Sequence, residues 1–185
     1  MPGFLFAALT LLFLAGLIWI SGRMFRLRVL GEEASWDELL ARLLPVSRVG
    51  IEEVASAFLD PTGQELDPRR ADRHLEARDI WDFIGGIEGL KTMRRNAEVL
   101  IDLASYVRRW NPEAAAVAEQ LRLDANEIKN ALSRIDWARR TGRLAASFPI
   151  QASRAAAAYY LMTQRVCALY EISQEGLLAQ LKAAI

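Results

Sequence analysis

Between Met1 and Gly22 the chain carries no charged side chain. Within that stretch Gly3 to Ile20 is an apolar run of 18 residues, interrupted only by Thr10. As a helix it would span about 27 Å, close to the ~30 Å hydrocarbon core of a bilayer. Its six Leu, three Phe and two Ile favour insertion by roughly 3–7 kcal/mol, at about −0.3 to −0.6 kcal/mol each. A soluble core helix would show a polar stripe. A removable export signal would open with basic residues and close on a small-x-small cleavage site. Here no Lys or Arg precedes the run, and "LAG" at 14–16 is followed by Leu17 rather than by a cysteine that could be lipidated. The run is therefore expected to be a single transmembrane anchor.

Its flanks set the expected orientation. Arg23, Arg26 and Arg28 follow the run, only the α-amino group precedes it, and Trp19 sits where an interfacial aromatic would. Basic flanks stay in the cytoplasm. The N-terminus is thus expected outside, with residues 29–185 cytoplasmic at the inner (plasma) membrane. The single cysteine, Cys167, cannot form an internal disulfide and suits a reducing compartment. The organisation expected is an anchor over 1–22, a basic juxtamembrane linker over 23–31, short helices and a turn over 32–66, and a helical bundle over 67–185. This layout, with Arg outnumbering Lys 20 to 3, suggests a bacterial membrane protein.

Past the anchor the apolar positions follow a helical period, so the domain is expected to be all-α, with about five to six helices. Ser35-Trp36-Asp37-Glu38 is a capping-box pattern that opens a short helix ending before Pro45. Ile51, Val54, Ala55, Phe58 and Leu59 make a second helix over about 50–59. "DPTG" at 60–63 reads as a turn. Asp67-Pro68 opens a long third helix, with an apolar face running from Ile80, Phe83, Ile84 and Ile87 through Leu90, Met93, Ala97, Leu100, Ala104 and Val107. Gly85, Gly86 and Gly89 interrupt it and mark a kink or a close helix crossing.

Asn111-Pro112 closes that helix and opens the next, which runs to about 142 with the seam Val117, Leu121, Ala125, Ile128, Leu132, Ile135 and Ala138. The two are expected to form an antiparallel hairpin. Thr141-Gly142 and Phe148-Pro149 bound a connection. A helix over 150–172 is apolar around most of its circumference and so should be central. Its polar face is Arg154, Gln164, Arg165 and Glu171. Ser173 is expected to cap a short last helix.

The chain carries no complete catalytic signature. "FIGGIEGLKT" at 83–92 resembles a P-loop, but Leu90 stands where G-x-x-x-x-G-K-[ST] needs glycine, and no strand precedes it. His74 is the only histidine, too few for a bundle di-iron site or, with Cys167 alone, for zinc. Asp72, Glu76, Asp79 and Asp82 surround His74, interleaved with Arg69, Arg70, Arg73 and Arg78, which reads as a solvated, salt-bridged face. The enzyme alternative is an unusual carboxylate/Arg site at 72–82. No catalytic role, metal or cofactor is expected.

Net charge is zero overall, but it is unevenly placed: residues 32–90 carry 14 acidic and 6 basic side chains, and residues 91–165 carry 13 basic and 7 acidic. Within the basic half, Arg94, Arg95, Arg108, Arg109, Arg134, Arg139, Arg140 and Arg143 form a candidate patch for an anionic partner, with Trp110 and Trp137 among them. Glu98, Asp102, Glu127 and Asp136 are placed to neutralise it locally. The leading expectation is a membrane-anchored interaction or scaffold protein that holds a cytosolic protein partner, or further copies of itself, at the bilayer. The alternative is peripheral binding of anionic lipid or nucleic acid through the Arg-rich half, with nucleic acid the lesser part, since no recognition motif is present.

Overall fold

A computed structural model describes residues 35–66, 75–173 and 175–185, and Trp36–Ile185 forms one compact unit. Seven helices lie among these residues: α1 (Trp36–Ala41), α2 (Arg48–Phe58), α3 (Ala77–Ile84), α4 (Gly86–Val107), α5 (Ala114–Arg140), α6 (Leu144–Ser173) and α7 (Glu175–Ala184). No strand is present among them; one isolated antiparallel bridge joins Leu59 to Glu65. It closes the expected turn, where the Asp60 carboxylate accepts from the Thr62 and Gln64 amides at 2.8 and 2.9 Å. The anchor, its flanks Trp19, Arg23, Arg26 and Arg28, and the Asp67-Pro68 opening lie outside the described residues. No helix among the described residues is long and apolar enough to cross a membrane.

The helix count exceeds the expected five to six because the long third helix is two. Gly85 and Gly86 both have positive φ, 77° and 63°. Gly85 ends α3 in the left-handed conformation, its amide donating to the Trp81 carbonyl at 3.0 Å, and α4 starts at the next residue. A side chain at either position would be strained. The P-loop-like stretch is thus a helix break.

Past the break, the predicted face is the core. Leu90, Met93, Ala97, Leu100, Ala104 and Val107 of α4 are fully buried, and so are Leu121, Ile128 and Ile135 of α5. Each buried Leu, Ile or Met contributes about 1.5–3 kcal/mol. α4 packs on α5 after a short turn, in which the Asn111 side chain accepts from the Glu113 amide at 3.0 Å.

α6 is central, packing against α2, α3, α4, α5 and α7. It also corrects the expected start at 150, since it begins at Leu144 with Pro149 inside it. Pro149 offers no amide to the carbonyl one turn back, that of Ala145; Ala145 is exposed, so water can serve that carbonyl. Phe148, beside it, is buried with its ring 4.6 Å from that of Trp81. Nor are Arg154 and Arg165 a free polar face: Arg154 reaches Glu65 at 3.3 Å, and Arg165 pairs with Asp124 of α5. Burial raises the Asp124 carboxyl pKa, and Arg165 offsets this in part. Ser173 is the last residue of α6, its hydroxyl accepting from the Asn111 amide nitrogen at 2.8 Å.

Asn96, 1% exposed on α4, joins the short N-terminal helices to the bundle. Its carbonyl accepts from the Leu44 amide at 2.9 Å, and its amide donates to the Leu44 carbonyl at 2.7 Å and to the Tyr159 hydroxyl at 3.2 Å. The backbone groups of the residue before Pro45 are satisfied by one side chain. At the opposite end of α1, Trp36 packs between Tyr106 and Tyr170, with ring centroids 6.1 and 5.0 Å away, and donates to Gln180 of α7 at 2.8 Å.

Candidate functional site

The basic half of the sequence comes closest to a built site at the corner between α5 and α6. α5 stops at a Schellman motif. The Arg143 amide donates to the Ala138 carbonyl at 2.8 Å, the Gly142 amide to that of Arg139 at 3.4 Å, and Gly142 takes the left-handed φ of 71°. The Thr141 hydroxyl donates to the carbonyls of Trp137 and Ala138 at 3.1 and 3.2 Å. Arg139 and Arg140 occupy the last turn, where the helix dipole favours cations.

This reversal sets Arg143, Ala146, Ser147 and Gln151 beside Arg134, Trp137 and Ala138, around a surface pocket of about 350 Å³. The small side chains leave the space. Trp137 is 61% exposed. Arg134 and Arg143 are exposed, and neither forms an ion pair among the described residues. The Gln151 side-chain carbonyl oxygen is buried and has no hydrogen-bond partner among them. An unmet buried acceptor costs about 1–3 kcal/mol, which a donor entering the pocket would offset.

Arg134 and Arg143 are the two members of the predicted patch that line this pocket. Arg139 lies 3.6 Å from Asp136 and Arg140 is exposed nearby. Arg94 and Arg95 are exposed on α4, where Lys91 and then Arg95 help hold the Glu88 carboxyl below its ordinary pKa. Arg108 and Arg109 are exposed just after α4, and Arg109 stacks over the Tyr106 ring at 5.0 Å. Asp102, expected to neutralise the patch, pairs instead with Arg42 at 3.0 Å.

Gln151 and Ser147 were missed by the sequence reading. With Pro149 as a boundary, Ser147 falls in the expected connection and Gln151 in the first turn of the helix expected over 150–172, although "RLAASFPIQAS" has helical spacing from Leu144 to Phe148 to Ala152. Of the carboxylate row, Glu76, Asp79 and Asp82 are exposed, while Asp72 and His74 lie outside the described residues. Among the described residues no group of three or more His, Cys, Asp or Glu side chains could hold a metal ion. Comparison of the chain with family models, curated proteins and solved structures gives no match.

Proposed function

We propose that this protein is a membrane-tethered interaction protein: the apolar run at 3–20 anchors it, and the α5–α6 corner engages an acidic segment of a protein partner. One observation carries the reading. Trp137 stands 61% exposed beside a pocket lined by Arg134 and Arg143, neither of which has an ion pair among the described residues. Trp and Arg dominate the energetics of protein interfaces, because a large ring and a guanidinium fork bury much area and bond directionally. Two unpaired guanidinium groups favour carboxylates, and the unmet Gln151 oxygen favours a segment that also presents an N–H.

The test is crosslinking and co-purification of the full chain from native membranes, comparing wild type with Trp137→Ala and with Arg134→Gln/Arg143→Gln. A protein recovered in fixed proportion with wild type and lost with both variants is the expected result. Equal recovery with either variant, or recovery of lipid alone, counts against the reading. Fusions at the C-terminus address the tether: a fluorescent GFP is expected, and an active alkaline phosphatase would reverse the orientation.

A further inference from the structure

A second cleft, about 210 Å³, opens between α2, α6 and α7 and shares no residue with the α5–α6 corner. Val46, Ile51 and Ile185 give it apolar lining. Arg48, at the start of α2, and Lys182, in the last turn of α7, are both exposed lining residues. Neither forms an ion pair among the described residues. Both act on one atom: burial pushes the Cys167 thiol above its ordinary pKa, Lys182 and then Arg48 pull it back, and Glu171 pushes it up to a lesser extent. The two cations are therefore within electrostatic reach of the same sulfur.

Tyr159 also lines the cleft and is 1% exposed. Its hydroxyl accepts from Asn96 at 3.2 Å, but its own proton meets no acceptor among the described residues. A phenol buried this deeply normally donates as well. Glu52 is the one acidic side chain of the lining; it follows Arg48 by one turn without pairing with it. Two cations without an ion pair among the described residues and an apolar lining in one small cleft are complementary to a compact amphiphilic anion.

We propose that this cleft binds an organic monocarboxylate with a short apolar tail. The carboxylate lies between Arg48 and Lys182, and the tail lies against Val46, Ile51 and Ile185. The volume equals about seven waters at roughly 30 Å³ each, which suits a ligand the size of hexanoate. Glu52 weakens the site by repulsion.

Cys167 is the only cysteine in the chain, so its alkylation by N-ethylmaleimide reports directly on the cleft. The full-length chain in mild non-ionic detergent is alkylated with and without millimolar hexanoate, and with hexan-1-ol as the uncharged control. Hexanoate is expected to slow the reaction several-fold and hexan-1-ol to leave it unchanged. Glu52→Gln should give the same protection at lower hexanoate concentration, and Arg48→Gln/Lys182→Gln should remove it, each read as the ratio of rates with and without hexanoate. Absence of protection, or equal protection by hexan-1-ol, overturns the proposal. So does a hexanoate dependence identical in wild type, Glu52→Gln and the double variant.

Discussion

Replacing Asn96 with Ala should be among the most destabilising changes in the molecule. The substitution removes three hydrogen bonds, two with the Leu44 backbone and one with the Tyr159 hydroxyl. Leu44 is 36% exposed, so water can recover part of what its amide and carbonyl lose. Counting about 1 kcal/mol for each bond, with a small cavity term at a site 1% exposed, gives about 3–4 kcal/mol. For a unit of this size the urea slope is about 1.5–2 kcal/mol per molar, so the midpoint should fall by about 2 M. Asn96→Asp separates the contributions. It keeps the acceptor for the Leu44 amide, loses both donations and buries a carboxylate beside a carbonyl oxygen. Burial raises that carboxyl above its unfolded pKa. The deficit should therefore be smallest in acid, where the protonated group can still donate, and grow as pH rises through the folded pKa. Urea unfolding of the full-length chain, followed by far-UV circular dichroism at several pH values, measures both. An Asn96→Ala variant within about 1 kcal/mol of wild type would falsify the view that this side chain holds the short helices to the bundle.

Gly50→Ala should cost about 1–3 kcal/mol, because the new methyl group runs into the Phe83 carbonyl oxygen and the Ser47 hydroxyl; a neutral thermal shift would mean that α2 and α3 can part freely. Burial raises the Asp102 pKa and Arg42 draws it only part of the way back. Its contribution to stability is therefore complete below the ordinary value of 3.8 and lost as pH rises through the raised folded value. Asp102→Asn should flatten the stability profile between those two values, and parallel wild-type and variant curves would contradict this. The Cys167 thiol, raised mainly by burial, should react with N-ethylmaleimide more slowly at neutral pH than a free peptide thiol; equal rates would show that the sulfur is solvated. Trp137→Ala should leave unfolding within about 0.5 kcal/mol of wild type, since the ring is 61% exposed, and a large loss would make it a packing residue rather than a contact.

The periodic apolar faces were legible in the sequence because burial on a helix repeats with the helix. The α4 face from Leu90 through Val107 is buried, as are Leu121, Ile128, Leu132, Ile135 and Ala138 of the α5 seam, while Val117 and Ala125 are half-buried. What the period cannot show is backbone conformation at a single residue. The glycines at 85, 86 and 89 signal a kink or a close crossing, but it is the positive φ of Gly85 and Gly86 that divides α3 from α4. Pro149 misled for the converse reason: proline usually ends a helix, but here the carbonyl it leaves unbonded belongs to an exposed residue. The α2 start was also placed late, although Ser47 is a strong N-cap residue and accepts from the Gly50 amide at 3.2 Å. The Arg clusters were visible as charge, whereas which of them share a pocket depends on the turn at Gly142 and on Gln151 beyond it. The cleft at Cys167 gave no local signal, since its lining comes from segments more than a hundred residues apart, from Val46 to Lys182.

Trp36 carries a consequence for the order in which the molecule is made. It is the first residue of α1, yet its indole is held by Tyr106, Tyr170 and Gln180. Gln180 is synthesised 144 residues later, about 7–29 s at a translation rate of ~5–20 residues per second. Until Tyr170 is made, the indole has only Tyr106 of its three partners to pack on. A chain arrested before Tyr170 should show a solvent-exposed Trp36. The set of contacts around Trp36 is thus completed only when synthesis is all but over.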